Sequence, residues 1–223
     1  MRWAWRRSAS RANTPIRADG IVIVFARAPL AGRVKTRLAP RLGAAGAARL
    51  HERLIRHAVR TARTARCGPV ELHVTCRHRF FDGLKIEVHL QRGRDLGERM
   101  HHALRSALRR HRSAILIGAD CPALTAADLR RAARWLKGGA DVVLAPAEDG
   151  GYALIGARRI SPAVFADVAW GGSAVLAQTM ANIARAGLKL RLLRTVWDVD
   201  RPEDLERLRG RRFSSAPRRG ARR

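Results

Sequence analysis

Short apolar segments of strand length alternate with longer segments of helical periodicity through most of this 223-residue chain. The clearest strand segments are Ile21–Phe25 and Ala114–Gly118, which are short and continuously apolar, as expected of strands buried on both faces. Apolar residues that recur every four positions over 96–108 predict a helix. The alternation predicts a three-layer α/β/α fold, in which helices cover both faces of a mostly parallel, mixed sheet.

The other elements follow from the same patterns. Further strands are predicted over 70–75, 86–90, 141–145, 152–155, 188–193 and 195–199, and a further helix over 44–65. Thr125, with an acid three residues later, predicts a capping box that opens a helix ending near Lys137. Ser173 is expected to cap a helix ending near Gly187, and Asp200 to cap a short final helix.

The net charge of +27 is typical of proteins that bind nucleic acid. However, only four of the 45 cationic residues are lysines, and a GC-rich coding sequence produces such a bias without any selected partner. One tyrosine and five phenylalanines provide no aromatic RNA-binding signature, so we rank a non-catalytic nucleic-acid-binding protein below an enzyme. The arginine-rich ends lack apolar periodicity, and we expect disordered basic tails at 1–19 and 209–223 around one domain at 20–208.

The sequence also predicts where the protein resides. No apolar run approaches the roughly 18 residues of a membrane-spanning helix, so we expect no membrane span. The paired arginines Arg6 and Arg7 are followed by polar residues, which disfavours an export signal. The three cysteines have no C-x-x-C spacing, and free thiols favour a cytoplasmic location. The oligomeric state is left open.

The loop that follows the first predicted strand is basic. Arg27, Arg33, Lys35 and Arg37 carry its charge, and Gly32 helps to bend its backbone. Arginine binds oxygen pairs bidentately and lysine acts as a point charge, so the loop is suited to hold phosphates. It matches neither G-x-x-x-x-G-K-[ST] nor G-x-G-x-x-G. The alternative is a solvated basic loop in an arginine-rich chain.

Acidic residues follow two later strands. Asp120 comes directly after the strand 114–118, and Asp198 and Asp200 end the last predicted strand. In parallel sheets ligands bind outside the carboxyl ends of the strands, so we expect these acids near the basic loop. Such carboxylates can hold Mg²⁺ or Mn²⁺ together with substrate phosphates. The alternatives are a turn-forming role for Asp120 and a capping role for Asp200.

A glycine turn and a tryptophan complete the candidate site. Glu148 and Asp149 are candidates for acceptor contact or general base, with Asp149 preferred. Gly150 and Gly151 would let the backbone approach a ligand closely, and Trp170 could stack on a sugar or base. The alternatives are a simple turn and a core tryptophan.

Six segments in fixed order carry a family resemblance. They are FARAPLAGRVKTRLA (25–39), RDLGERM (94–100), IGADCPAL (117–124), PAEDGGYALIG (146–156), WGGSAVLAQT (170–179) and DVDRPEDL (198–205). Through them residues 20–208 resemble the bacterial DUF2064 family of candidate glycosyltransferases, associated with radical-SAM and selenodomain proteins. The resemblance implies a GT-A-type, Rossmann-like nucleotide-diphospho-sugar transferase fold. That layout is similar to those of the molybdenum-cofactor and 2-phospholactate guanylyltransferases.

The resemblance also implies roles for individual residues. Arg33, Lys35 and Arg37 would bind nucleotide phosphates, and Asp120 would bind the metal with Asp198 or Asp200 as its partner. The expected reaction transfers a glycosyl group from a nucleotide-diphosphate sugar to a small-molecule acceptor, assisted by Mg²⁺ or Mn²⁺. The alternative is a nucleotidyltransferase that joins a nucleoside triphosphate to a phosphorylated small molecule and releases pyrophosphate.

Overall fold

A mixed β-sheet forms the centre of the described part of the chain, residues 19–209 of a computed structural model. Its strands are β1 (Ile21–Ala26), β2 (Val70–Val74), β3 (Glu87–Leu90), β4 (Ala114–Gly118), β5 (Val142–Pro146), β6 (Tyr152–Ala157) and β7 (Leu190–Leu192). The α-helices are α1 (Ala39–Ala65), α2 (Leu96–Arg110), α3 (Ala126–Lys137), α4 (Val175–Arg185) and α5 (Asp204–Arg209). Three short 3₁₀ segments lie at Thr36–Leu38, Arg79–Leu84 and Pro162–Phe165 in the same part of the chain.

The strand order is β3-β2-β1-β4-β6-β5-β7. Strand β6 pairs antiparallel with both of its neighbours, while the other pairings are parallel. The prediction of a mostly parallel, mixed sheet is therefore confirmed. Because β1 and β4 are adjacent and parallel, the basic loop after β1 and the acid after β4 emerge at the same edge of the sheet.

Helices cover both faces of the sheet, as predicted. Val22 and Val24 of β1 belong to a core shared with α1 and α3. Ile21 and Ile23 point to the other face and belong to a core shared with α2 and α4. Since side chains alternate along a strand, a continuously apolar strand such as β1 is suited to burial between two helical layers.

The capping predictions had mixed outcomes. The capping box is confirmed, because Thr125 and Asp128 each accept a hydrogen bond from the backbone N–H of the other. Ser173 was wrong as a cap: α4 begins at Val175, its N-cap position is Ala174, and no side chain caps it. A backbone group takes the place of a side-chain cap, because the N–H of Leu176 in the first turn of α4 donates a hydrogen bond of 2.9 Å to the carbonyl oxygen of Gly150.

The end of the domain also differs from the prediction. In place of a strand over 195–199, the structure has a single parallel bridge between Ala147 and Val196. Asp200 was wrong as the final helix cap. The Asp204 carboxylate accepts hydrogen bonds from the N–H groups of Asp200 and Arg201, while the Asp200 carboxylate is paired elsewhere.

Residues 1–18 and 210–223 lie outside the described residues, and nearly all of both predicted tails lies there. Over residues 19–209, no helix combines the length and apolar character that a membrane crossing requires.

Candidate active site

A cleft at the carboxyl edge of the sheet brings together residues from five of the six segments that carry the family resemblance. It encloses about 240 Å³ and is lined by Asp120, Asp149, Asp198, Gly151 and Trp170, among others. The structure places these five predicted residues around one cavity. Apolar side chains of Leu96, Met100, Tyr152 and Val175 form much of the remaining wall.

Asp120 lies between two cationic or titratable side chains. Lys35 Nζ is 2.9 Å from Asp120 Oδ2, and the Lys35 side chain is only 6% exposed although it belongs to the basic loop. His51 Nδ1 of α1 is 3.2 Å from Asp120 Oδ1. The other ring nitrogen of His51 is 3.2 Å from the carbonyl oxygen of Arg27, which ties the helix to the start of the loop.

Electrostatics keep Asp120 ionised. Burial acts to raise the pKa of this carboxyl, but Lys35 and then His51 outweigh burial and hold the pKa well below its ordinary value. The Asp120 carboxylate is therefore negatively charged at neutral pH.

Asp198 lies in a different electrostatic environment. The N–H of Val199 donates a hydrogen bond of 3.0 Å to the carbonyl oxygen of Asp120, which fixes this segment beside the end of β4. Burial, followed by repulsion from Asp149, raises the pKa of Asp198 to about 6; Lys35 opposes the rise and Asp120 adds to it. The cleft thus holds three carboxyl groups. The raised pKa of Asp198 shows that Lys35 does not fully balance the negative charge of Asp120 and Asp149.

The basic loop has an irregular backbone. Gly32 has φ 78°, a region favoured by glycine, and Lys35 has φ 49°. The positive φ of Lys35 turns its side chain inward to Asp120, whereas Arg27, Arg33 and Arg37 are exposed. The loop therefore presents one buried ammonium group beside the Asp120 carboxylate and a set of solvent-facing guanidinium groups.

Eight predicted residues do not line the cleft, namely Arg27, Gly32, Arg33, Lys35, Arg37, Glu148, Gly150 and Asp200. Ion pairs occupy the side chains of three of them, Arg37, Asp200 and Glu148. Arg37 and Asp200 form an exposed ion pair with each other. Glu148 forms a double ion pair with Arg207, with distances of 2.7 and 2.9 Å, and the Arg207 guanidinium lies over the ring of Trp197. The structure therefore brings Asp149, and not Glu148, to the cavity.

The glycine turn is tightly enclosed. Gly150 has φ 86°, and a Cβ atom built there would lie 2.1 Å from the carbonyl oxygen of Ser173. The Asp149 carboxylate accepts a hydrogen bond of 2.9 Å from the N–H of Gly151, which fixes the acid at the tip of the turn. Trp170 packs over Gly97 at the start of α2, where a Cβ atom would lie 2.7 Å from the indole ring.

Sequence reasoning missed His51 and the apolar wall. His51 is 2% exposed and lies on the helix face that carries Leu54 and Ile55. A histidine on the apolar face of a predicted helix was a signal that could have found it. Cys121 also lines the cleft, but its thiol is buried, donates to the carbonyl oxygen of Trp197, and has its pKa raised by burial to about 12.

A larger cavity lies at the opposite, amino-terminal edge of the sheet. It encloses about 1350 Å³ along α3 and is lined by basic residues including Arg66, Arg112 and Arg130. No residue predicted for catalysis, phosphate or metal binding lines it, and we place the candidate site at the carboxyl edge for that reason.

The sequence pattern of one bacterial family matches residues 48–172, more than half of the chain. The chain belongs to the DUF2064 family. This family is described as an uncharacterized protein conserved in bacteria. No curated protein is significantly similar to the chain.

Solved structures give further similarities. A candidate nucleotide-diphospho-sugar transferase from Desulfovibrio desulfuricans G20 is 30% identical, with a TM-score of 0.80 over 89% of this chain and 90% of that one. CMP:2-keto-3-deoxy-manno-octonic acid synthetase complexed with CTP is 12% identical, with a TM-score of 0.55 over 86% and 98%. Rv0371c from Mycobacterium tuberculosis H37Rv, solved with manganese, is 19% identical, with a TM-score of 0.50 over 86% and 98%. The last two similarities concern the fold alone.

Proposed function

We propose that this DUF2064 protein is a transferase that moves a glycosyl group from a nucleotide-diphosphate sugar to a small-molecule acceptor. The observation that carries the proposal is that Asp120, Asp149 and Asp198 line one cleft at the carboxyl edge of the sheet, with the buried Lys35 ion-paired to Asp120. The 30% identical relative, a candidate nucleotide-diphospho-sugar transferase, supports the same class of substrate.

The acidic residues fit a divalent cation. Asp120 Oδ1 is buried and makes no aligned hydrogen bond, although the His51 ring is near it. The Asp198 carboxyl group is repelled by the neighbouring carboxylates of Asp149 and Asp120. A cation of the Mg²⁺ or Mn²⁺ class prefers such oxygen ligands. Asp120 and Asp198 would hold it, with Asp200 the less favoured ligand because it is paired with Arg37. When bound, the metal would neutralise charge on the diphosphate leaving group.

The basic loop would bind the diphosphate. Lys35 is paired with Asp120, which lines the cleft, so it would share its charge between Asp120 and a phosphate oxygen. Arg27, Arg33 and Arg37 are exposed and would contact the phosphates from the rim, while Gly32 allows the loop its turn. This arrangement orients the donor before the bond to the sugar breaks.

The opposite side of the cleft would hold the acceptor and the sugar. Asp149 lies at the tip of the glycine turn and would accept the proton of the attacking hydroxyl group; Glu148 is less favoured since Arg207 holds it. Gly150 and Gly151 would allow close approach of the donor, and Trp170 would pack against its sugar. The apolar wall beside Trp170, in which Met100 and Val175 are buried, would limit access of water that could hydrolyse the donor.

A second candidate function is nucleotidyl transfer with release of pyrophosphate. The buried Lys35 favours it to the same degree, because this reaction also needs a fixed cation beside the phosphate that is attacked. Both reactions use a nucleotide and an acceptor, and neither involves nucleic acid or a membrane.

The test is a thermal-shift panel on the full chain with UDP-, GDP-, ADP- and dTDP-sugars against the matching triphosphates, each with Mn²⁺ or EDTA. A ligand at about 100 times its Kd stabilises the native state by roughly 2.7 kcal/mol. We expect one nucleotide sugar to stabilise the wild type with Mn²⁺, and Lys35→Met to abolish the effect. Lys137→Met removes an 82% exposed lysine and is the matched control.

The outcomes separate the candidates. A response to one triphosphate, with pyrophosphate released on addition of acceptors, would replace glycosyl transfer with nucleotidyl transfer. Equal stabilisation of the Lys35 and Lys137 variants by every nucleotide would refute both, because the net charge alone would then account for binding.

A further inference from the structure

A second cluster of ligand-type side chains lies away from the cleft, on the side of the sheet that α2 covers. Glu71 and His73 are two residues apart on β2 and therefore point to the same face. His89 on the edge strand β3 is the register partner of His73. Neither the proposed transferase function nor the sequence predictions use these three residues.

The donor atoms of the cluster converge. His73 Nε2 is 3.1 Å from Glu71 Oε2, and His89 Nε2 is 3.7 Å from the same oxygen. One ligand atom from each residue lies within 4.8 Å of the others. Bond lengths of about 2.0–2.2 Å place neighbouring ligands of a tetrahedral zinc ion roughly 3.3–3.5 Å apart, so the cluster is close to the required size.

The surroundings favour a ligand set over a closed hydrogen-bond network. His89 Nε2 is buried and makes no hydrogen bond, although Glu87 Oε1 is 3.0 Å away. The guanidinium of Arg110, at the end of α2, lies 2.8 Å from the other Glu71 oxygen and leaves Oε2 directed at the histidines. Carboxylates and imidazoles that bind metals are commonly oriented in this way by a further polar partner.

The cluster is enclosed on one side and open to solvent on the other. The Glu71 side chain is only 4% exposed and has the Arg110 guanidinium as its cationic partner. The His89 side chain is 37% exposed and leaves a path from solvent.

We propose that Glu71, His73 and His89 form a binding site for a divalent transition-metal ion, with Zn²⁺ preferred. Two imidazoles and one carboxylate are the borderline donor set that suits Zn²⁺ in proteins, in contrast to the all-carboxylate cleft. A solvent molecule would take the fourth position beside His89. The ion would replace the hydrogen bond between His73 and Glu71 and would join the edge strand β3 to β2.

The test is zinc titration of the untagged, metal-stripped full chain by calorimetry, with Co²⁺ absorption as a second measurement. We expect one Zn²⁺ per chain and a Co²⁺ spectrum without thiolate bands. His89→Gln, at the most exposed position of the cluster, should weaken zinc binding by more than about 100-fold. Loss of a residue that only hydrogen-bonds to a metal ligand costs about 10–100-fold, and loss of a ligand should cost more. His102→Gln, an exposed histidine of α2, is the matched control and should leave affinity unchanged.

Other results would overturn the site. Equal zinc affinity of the His89 and His102 variants, thiolate bands in the Co²⁺ spectrum, or no binding to the wild type would each refute it. If His89→Gln fails to fold, protection of His89 from diethyl pyrocarbonate by Zn²⁺, measured by mass spectrometry on the wild type, decides the same question. Asp120→Asn should retain zinc binding, which keeps this outcome independent of the transferase proposal.

Discussion

Replacing Asp198 with asparagine is expected to stabilise the metal-free protein at pH 8. The folded-state pKa of Asp198 is raised to about 6 from an ordinary value of 3.8, chiefly by burial and by repulsion from Asp149. A difference of about two pH units corresponds to roughly 3 kcal/mol. Because Asp198 is partly exposed, solvent screening reduces this to about 1–2 kcal/mol.

The pH dependence gives the prediction its direction. Since the folded-state pKa lies above the unfolded one, the favourable contribution of Asp198 is present below the unfolded value and is lost as pH rises through about 6. The variant should therefore gain most at pH 8 and lose most of that gain by about pH 4.5.

Urea denaturation in EDTA at the two pH values measures this effect, and thermal unfolding at pH 8 should show a rise of about 2–8 °C. Asp200→Asn is the control, since it loses only an exposed ion pair with Arg37 and should cost less than about 1 kcal/mol. Destabilisation by Asp198→Asn at pH 8, or an equal gain at both pH values, would refute the electrostatic account of the cleft.

Three further predictions concern backbone, thiol and cap. Gly171→Ala introduces only strain from a φ of 90° and should cost about 1–2 kcal/mol in urea denaturation, whereas Gly150→Ala should cost more because the Ser173 backbone must also move; equal costs would contradict the close contact. Iodoacetamide at pH 8 should modify the exposed Cys76 much faster than the buried Cys121. Mass spectrometry locates the adducts, and comparable rates at the two cysteines would contradict the burial of Cys121. Thr125→Ala should lower the free energy of unfolding by about 1 kcal/mol in urea, and no change would show that the capping box contributes nothing.

Much of the fold was predictable because its determinants are local. The apolar runs of β1 and β4 and the capping box of α3 depend on neighbouring residues, and the structure confirms all three. The helix expected from residue 44 starts at Ala39, with Gly43 at φ 69° interrupting its first turns. Errors arose where a side chain has a partner that is far away in the sequence. Asp200, for example, pairs with Arg37 and does not cap the final helix.

The candidate site was predictable only in part, for the same reason. The rule that ligands bind at the carboxyl ends of parallel strands places Asp120 and Asp198 together without knowledge of the strand order. His51 reaches Asp120 only because α1 packs over β1 and β2, next to the end of β4, a contact that no local pattern encodes. His89 joins Glu71 through the register of β2 and β3, which is likewise set by tertiary structure.

The reversed strand β6 has a consequence for how proteins of this architecture can diversify. Since β6 runs against β5, the two are joined by a hairpin at the carboxyl edge, and residues 147–151 cross the cleft without a covering helix. If a crossover helix joined the two strands, any insertion or deletion in this connection would disturb the packing of that helix against the sheet. The hairpin can instead lengthen or exchange residues at its tip while both helical layers stay in place. If the proposed function holds, the residues that would contact the acceptor can therefore change while the basic loop and Asp120 keep their places.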